Sequence, residues 1–161
     1  MTRELTKKER FIQLITPVAL PLARFYWFVF RPRTEGVKVI IFNKDRSEVL
    51  LVRHTYGDGR WMFPGGGKEG EESPEKIARR EMDEELRVSL QDLKRVDTTT
   101  SRKEWKRDQI TILTAEITDD PTPDPFEIAR AKWFPWSDLP QLGPVSAKIL
   151  YLYAQAKPTE N

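Results

Sequence analysis

The alternation of predicted strands and helices along the sequence indicates one domain of the α/β or α+β class. Three observations support this fold class: segments rich in β-branched residues between turn residues, a well-capped helix near the middle of the chain, and a second helix close to its end. A length of 161 residues suits a single domain with a buried core.

The first two predicted strands form a hairpin. Residues 37–43 (VKVIIFN) and 48–53 (EVLLVR) are rich in branched residues, which favour strands. Residues 44–47 (KDRS) between them supply turn-forming side chains. The chain then leads through residues 61–67 (WMFPGGG) towards the central helix.

The central helix is predicted to begin at about Pro74 and to end near Leu86. Ser73 is a favourable N-cap residue, and proline suits the first helical position. Ala78, Met82 and Leu86 recur on one side of the helix, so we expect them to enter the core.

The second half of the sequence predicts three further strands and a closing helix. The strands are residues 93–100, 109–117 and 132–134, and the helix is residues 145–156. The basic segment 102–107 (RKEWKR) mixes an aromatic ring with positive charge, as nucleic-acid binders do, and a solvated turn is the alternative. The segment 119–125 (DDPTPDP) is expected to be an irregular loop because of its prolines.

Residues 1–30 are predicted to be an apolar helical segment in front of the domain formed by residues 31–161. Apolar residues recur at helical spacing from Phe11 to Phe30. Three alternatives stay open: a helix packed on the domain or on a second copy in a homodimer, attachment to a membrane surface, and a membrane span or signal peptide. Two prolines and an arginine within the segment count against a span. We expect a cytoplasmic protein, either free or attached to a membrane surface.

Composition restricts the kinds of site that the chain can carry. The absence of cysteine excludes disulfides and thiolate metal sites, and the single histidine, His54, excludes a histidine-rich metal site. Any metal must therefore be held mainly by oxygen. The whole chain has a net charge of +2, and residues 66–88 are net −3, which leaves +5 for the rest. This distribution suits an anionic substrate bridged by cations. The excess of positive charge outside residues 66–88 is too small to indicate nucleic-acid binding by itself.

Three carboxylates cluster on one face of the central helix. Glu81, Glu84 and Glu85 stand at positions i, i+3 and i+4, after Arg80 and downstream of the glycine turn at residues 65–67. Like charges this close repel each other unless water or a cation offsets the repulsion. Oxygen ligands suit a hard divalent ion such as Mg²⁺ or Mn²⁺. The local chemistry therefore predicts metal-assisted attack on a phosphate compound.

This stretch resembles the Nudix hydrolases, which carry the pattern G-x5-E-x7-R-E-U-x-E-E-x-G-U, where U is aliphatic. Eight of the nine defined positions match, at Gly66, Glu72, Arg80, Glu81, Met82, Glu84, Glu85 and Val88. One position departs from the pattern, because Arg87 stands where the family has glycine. Glycine there would end the helix in a left-handed conformation. Arginine either adopts that conformation at a cost of about 1 kcal/mol or lets the helix run on.

The resemblance implies a Nudix-type α/β/α sandwich with a mixed central sheet. It also implies a Mg²⁺- or Mn²⁺-dependent hydrolase that cleaves a phosphoanhydride bond in a nucleoside diphosphate linked to another group. Glu84 and Glu85 are the first choice as metal ligands, and Glu81 is either a third ligand or the general base. A carbonyl of the glycine turn, assigned to Gly66, would join the metal ligands.

Further residues are assigned to orientation and substrate contact. Arg80 is expected to orient a carboxylate through a bidentate pair. Gly65 would let the backbone approach the pyrophosphate, and Arg53 is expected to contact substrate phosphate, with His54 as a weaker candidate. Glu127, on the loop before the last strand, is assigned to the substrate region as a base or extra ligand, with a plain surface position as the alternative.

Two other functions stay open from the sequence. One is a Nudix-like module that binds a nucleotide without hydrolysing it, which the intact set of carboxylates argues against. The other is a membrane-associated or protein-interaction role centred on the N-terminal segment. Candidate substrates are nucleoside triphosphates, dinucleotides, nucleotide sugars and capped RNA ends, whereas nucleic acid in general is not the expected partner.

Overall fold

Five strands and two helices build the part of the chain that the structure, a computed structural model, describes: residues 33–56, 58–101 and 107–156. In chain order the elements are β1 (Arg33–Phe42), β2 (Glu48–His54), α1 (Pro74–Leu86), β3 (Gln91–Ser101), β4 (Arg107–Glu116), β5 (Ile128–Pro135) and α2 (Pro144–Ala156). Both predicted helices and all five predicted strands are present within these ranges.

The five strands form one mixed sheet in the order β3-β4-β1-β2-β5. β1 and β4 run parallel along their whole length, from Arg33 opposite Arg107 to Phe42 opposite Glu116. The other three pairs, β1–β2, β2–β5 and β3–β4, are antiparallel. The predicted hairpin of β1 and β2 and the mixed central sheet are therefore confirmed.

Each helix covers one face of the sheet with a buried apolar layer. Met82 and Leu86 of α1 share one buried cluster with Val39 of β1. Ile149 of α2 belongs to a second cluster with Ile40, the next residue of the same strand. Because successive strand residues point to opposite faces, the two helices lie on opposite sides of the sheet. The predicted α/β/α sandwich is confirmed.

Helix α1 begins and ends through local backbone contacts. Ser73 caps the first turn, since its hydroxyl accepts a hydrogen bond from the Lys76 N–H at 3.3 Å, and Pro74 is the first helical residue. At the other end Arg87 adopts the left-handed conformation, with φ 55° and ψ 44°, and its N–H donates to the Asp83 carbonyl at 3.1 Å. Of the two alternatives for Arg87, the structure shows the left-handed helix end.

Strand β5 is longer than the predicted strand at residues 132–134. It pairs with β2 from Pro135 opposite Glu48 to Arg130 opposite Arg53, and the ladder continues to Ile128 after a register shift. The added residues have no apolar alternation of their own. Pairing with β2, which the local sequence does not encode, extends the strand.

Two predicted features lie outside the described residues: the N-terminal segment 1–30 and most of the basic connection, residues 102–106. The division of the chain at residues 30 and 31 therefore stays a prediction. Among the described residues, no helix has the length and apolar character needed to cross a membrane.

Candidate active site

The glycine turn lies along β1 and is hydrogen-bonded to it. The Val37 N–H donates to the Gly66 carbonyl at 2.9 Å, and the Val39 N–H donates to the Pro64 carbonyl at 3.0 Å. Gly65 has φ +123°, and a Cβ at this position would lie 2.6 Å from the Val37 carbonyl oxygen. Position 65 therefore requires glycine, both for its backbone conformation and for its close approach to β1.

Helix α1 brings two of the three predicted carboxylates onto this turn. Glu85 is 2% exposed, and its Oε2 accepts a hydrogen bond from the Gly65 N–H at 3.1 Å. Glu81 faces Gly66, where an added Cβ would lie 2.3 Å from the carboxylate. Glu84 lies further out, with 56% of its side chain exposed. The structure thus brings Glu81 and Glu85 against the glycine turn and leaves Glu84 at the rim of the site.

Burial raises the pKa of both Glu81 and Glu85. Lost hydration is the largest cause for each group, because it disfavours the charged form. Repulsion raises the pKa further, from Glu84 acting on Glu81, and from Glu81 and Glu127 acting on Glu85. The site therefore holds carboxylates whose charge the neighbouring bases only partly offset, which favours a cation beside them.

Arg80 connects the acidic residues around the turn. Its Nε and Nη2 donate to the two oxygens of Glu72, both at 3.0 Å, and Nη2 also donates to the Gly67 carbonyl at 2.8 Å. Its Nη1 donates to Glu81 Oε1 at 2.9 Å and to Glu84 Oε2 at 3.1 Å. The bidentate pair is therefore made with Glu72, while single hydrogen bonds orient the two candidate ligands.

Lys38 is a functional candidate that the sequence reasoning missed. The only signal was one charged residue inside the apolar run of β1 (VKVIIF). Its Nζ donates to the Gly65 carbonyl at 2.6 Å, and its positive charge lowers the pKa of Glu81 and of Glu85 against the effect of burial. Lys38 thus places positive charge between the glycine turn and the carboxylates.

His54 and Glu127 complete the surroundings of Glu85. The His54 Nε2 lies 3.9 Å from Glu85 Oε1, and its ring stands 5.1 Å from the ring of Tyr56. The carbonyl of Glu127 accepts a hydrogen bond from the Thr55 N–H at 2.9 Å, which ties the loop before β5 to the end of β2. The exposed Glu127 side chain acts electrostatically on Glu85, so the structure places this predicted acid within range of the site.

Arg53 lies away from the carboxylates. Its guanidinium stacks over the ring of Trp61, 4.4 Å from the ring centroid, on the sheet face that α2 covers. The next residue, His54, is the one that approaches Glu85. The structure therefore does not bring Arg53 together with Glu85 and the glycine turn, and a phosphate contact by Arg53 has to lie on the other side of β2.

Two cavities open beside the site and share Lys38, Asp108 and Ile110. One, of about 610 Å³, runs along Gly66 at the start of β1. The other, of about 480 Å³, runs along His54 and Tyr56. Together they offer room for an elongated ligand that passes Lys38.

The donors fit a hard divalent cation in kind, since they are carboxylate oxygens and a backbone carbonyl. The Gly66 carbonyl accepts one hydrogen bond from β1 and keeps a second lone pair. Within the described ranges, no three Asp, Glu or His side chains converge closely enough to hold an ion as they stand. Arg80 occupies one oxygen of Glu81 and one of Glu84 and leaves the other oxygen of each without that bond. A cation would therefore share these carboxylates with Arg80.

Sequence comparison relates the chain to the NUDIX domain and to proteins named RNA pyrophosphohydrolases. Residues 32–154 match the family model of the NUDIX domain. The chain is 37% identical over 78 residues to an RNA pyrophosphohydrolase from Proteus mirabilis, a match that covers 48% of this chain and 40% of that protein. It is 40% identical over 65 residues to an RNA pyrophosphohydrolase from Ectopseudomonas mendocina, covering 40% of this chain and 38% of that protein. The match thus spans about two fifths of the length of these curated relatives.

Solved structures share the fold. A MutT NUDIX hydrolase from Burkholderia pseudomallei superposes with a TM-score of 0.68 at 22% identity, covering 74% of this chain and 97% of that one. The NUDIX domain of Shewanella oneidensis NrtR, solved as a complex with ADP ribose, gives a TM-score of 0.66 at 22% identity and covers 86% of this chain and 97% of that one. Because the family model extends over most of the sequence and over the whole carboxylate site, the chain belongs to the NUDIX family.

Proposed function

We propose that this chain is a Mg²⁺- or Mn²⁺-dependent hydrolase that cleaves a phosphoanhydride bond in a nucleoside diphosphate linked to another group. The placement of Glu81 and Glu85 against Gly65 and Gly66 carries the proposal. The buried Glu85 and the half-buried Glu81, both with raised pKa values, stand there beside cavities large enough for a nucleotide. Such a site gains from binding a cation, and a cation at this place can meet the phosphates of a bound substrate.

The carboxylates have different roles in this proposal. Glu84 and Glu85 hold the cation, and the Gly66 carbonyl serves as an additional oxygen ligand. When bound, the cation neutralises charge on the phosphate and lowers the pKa of an attacking water. Glu81 is either a third ligand or the general base, and Glu127 is the alternative base because it lies within electrostatic range of Glu85.

Two basic residues support these groups. Arg80 is a positioning residue, because it holds Glu81 and Glu84 through one nitrogen while Glu72 fixes its guanidinium. Lys38 stands where the two cavities meet and supplies positive charge for the substrate phosphates. Its hydrogen bond to Gly65 keeps this charge beside the glycine turn.

The relatives support a nucleotide-derived substrate. The curated relatives are named RNA pyrophosphohydrolases, and the NrtR domain was solved with ADP ribose. ADP ribose is itself a nucleoside diphosphate joined to a second group. The chemistry common to both is a pyrophosphate next to a nucleoside, which is the unit that the proposed site would bind.

A substrate screen with matched variants tests the proposal. The full chain is incubated with Mg²⁺ and nucleoside triphosphates, dinucleotides, nucleotide sugars, ADP ribose, and triphosphorylated or capped RNA, and products are identified by mass. E84Q/E85Q should lower kcat/KM by roughly a hundredfold or more with an unchanged circular dichroism spectrum. E71Q/E75Q removes the same charge from exposed positions nearby and should behave like the wild type. Full activity of E84Q/E85Q, or tight nucleotide binding with no product from any compound, overturns the assignment.

A further inference from the structure

A further cavity, of about 520 Å³, lies where β2 and β5 pair, and we call it the β2–β5 pocket. Three cationic and two aromatic side chains line it: Arg53, Arg130, Lys132, Trp61 and Phe134. No Asp or Glu is among its lining residues. The carboxylate site described above uses none of these side chains.

The sheet register forces like charges together in the β2–β5 pocket. Arg53 and Arg130 are direct cross-strand partners, so their side chains leave the sheet on the same face. Lys132 is two residues beyond Arg130 and therefore shares this face. Like charges directly opposite each other destabilise a strand pair, and an anion between them would offset the repulsion.

The cations of the pocket contact aromatic rings in place of acids. Arg53 lies 4.4 Å above the centroid of Trp61, and the Lys132 Nζ lies 5.1 Å from the centroid of Phe134. In the ranges that the structure covers, none of the three cations is within salt-bridge distance of a carboxylate. The Nε of Arg53 is buried and has no hydrogen-bond acceptor there. The pocket therefore presents positive charge that the surrounding side chains do not neutralise.

The β2–β5 pocket adjoins the carboxylate site through two elements. Arg53 is followed directly by His54, whose Nε2 lies 3.9 Å from Glu85, and consecutive Cα atoms are about 3.8 Å apart. Pro123 lines the pocket, while the N–H groups on either side of it, of Thr122 and Asp124, donate to the last carbonyls of α1 at 2.7 and 2.8 Å. The pocket and the carboxylate site therefore lie at the same end of β2, on opposite faces of the sheet.

We propose that the β2–β5 pocket binds the phosphodiester backbone of a single-stranded RNA whose 5′ end occupies the carboxylate site. The proposal rests on the proposed function and names its substrate class as a 5′-phosphorylated oligoribonucleotide. Three cations without carboxylate partners among the described residues suit successive backbone phosphates. Arg53 then contacts substrate phosphate on the face of β2 opposite to the pyrophosphate.

Binding of an RNA without terminal phosphates tests the pocket separately from hydrolysis. A 12-nucleotide single-stranded RNA with a 5′-hydroxyl and a 3′ fluorophore is titrated with the full chain at low salt, and anisotropy gives Kd. R130E should raise Kd at least fivefold and should flatten the dependence of log Kd on log salt by about 0.7 for each phosphate that the pocket no longer binds. K44E is the matched control, because Lys44 is an exposed residue in the turn at the other end of β2, and it should change Kd less than twofold.

The Tm of R130E shows whether a loss of RNA binding comes from unfolding. A glutamate opposite Arg53 exchanges a repulsive pair for an attractive one, so the Tm of R130E should equal or exceed that of the wild type. Equal effects of R130E and K44E on Kd, or no binding of the 5′-hydroxyl RNA by the wild type, would overturn the proposal even if mononucleotides are hydrolysed. Conversely, RNA binding that depends on Arg130, together with no hydrolysis of any compound, would support the proposal for the pocket and overturn the proposed function.

If both proposals hold, R130E should impair the turnover of a long RNA substrate more than that of a single nucleotide. R130E should lower the ratio of kcat/KM for a 5′-triphosphorylated 12-nucleotide RNA over kcat/KM for a nucleoside triphosphate by about tenfold, through KM. K44E should leave this ratio within twofold of the wild-type value. A ratio that R130E does not change would show that the pocket takes no part in substrate binding.

Discussion

Gly66 faces Glu81 so closely that a methyl group at position 66 would lie 2.3 Å from the Glu81 carboxylate. A separation this short is impossible, so G66A must displace the Glu81 side chain. Since that carboxylate is the far end of a flexible side chain, the cost falls on the geometry of the site more than on the fold. We expect kcat/KM to drop by an order of magnitude or more, and Tm to fall by less than about 4 °C.

The control for G66A is G67A. A Cβ at Gly67 meets nothing within 4 Å, although the change alters the same turn. G67A should therefore keep near wild-type activity in the same substrate assay. If both alanines reduce kcat/KM equally, the contact between Gly66 and Glu81 is not what positions the carboxylate.

Replacement of Arg80 by lysine tests whether the site needs the planar guanidinium or only its positive charge. R80K keeps the positive charge and loses the planar fork that binds both oxygens of Glu72 while a second nitrogen holds Glu81 and Glu84. We expect R80K to lower the free energy of unfolding by about 1 to 3 kcal/mol and kcat/KM by at least tenfold. Urea denaturation and steady-state kinetics measure the two effects. An R80K variant with wild-type kinetics would show that a point charge suffices at this position.

The stability of the metal-free protein should depend on pH because the pKa values of Glu81 and Glu85 are raised. Burial is the main cause of both shifts. A carboxyl group whose folded pKa exceeds its unfolded pKa contributes stability below the unfolded value. That contribution is lost as the pH rises through the folded value. The metal-free protein should therefore lose stability as the pH rises above the ordinary glutamate pKa of 4.5.

Thermal melts across this pH window check that expectation. E81Q and E85Q should each flatten the pH dependence of Tm, because glutamine does not titrate. Saturating Mg²⁺ should raise Tm most at the high-pH end, where the carboxylates are charged and bind the ion. A Tm profile that neither substitution changes would contradict the electrostatic account of the site.

The departure from the family pattern at Arg87 predicts a stabilising substitution. Arg87 holds the left-handed conformation with φ 55°, which glycine adopts without the penalty of a side chain. R87G should therefore raise the free energy of unfolding by about 0.5 to 1 kcal/mol, and R87A should not. Activity should stay unchanged, since Arg87 makes no contact with Glu81, Glu84 or Glu85 in the structure. A destabilised R87G variant would show that the Arg87 side chain contributes more than its backbone strain costs.

Local signals made the central helix predictable. Ser73 and Pro74 specify its start through capping and backbone preference, and the spacing of Met82 and Leu86 identifies its buried side. The bounds of this helix agree with the prediction for the same reason, because each signal lies within a few residues of the feature that it determines. The family pattern then directed attention to Glu85 as part of the site.

Contacts between distant segments could not be predicted in the same way. Lys38 and Gly65 are 27 residues apart and meet only because the glycine turn folds back along β1. The direction of Arg53 depends on its position in the β2 ladder, where neighbouring residues point to opposite faces. One residue of register therefore decides that His54 approaches Glu85, whereas Arg53 stacks on Trp61.

The central claim is that the carboxylates on α1 bind a divalent cation beside the glycine turn. Isothermal titration calorimetry of the full chain with Mg²⁺ and with Mn²⁺, in parallel on the wild type and on E84Q/E85Q, tests it most directly. The account predicts saturable uptake by the wild type that the double variant loses, with E71Q/E75Q titrating like the wild type. Absence of uptake by the wild type, or equal uptake by E84Q/E85Q, would contradict it.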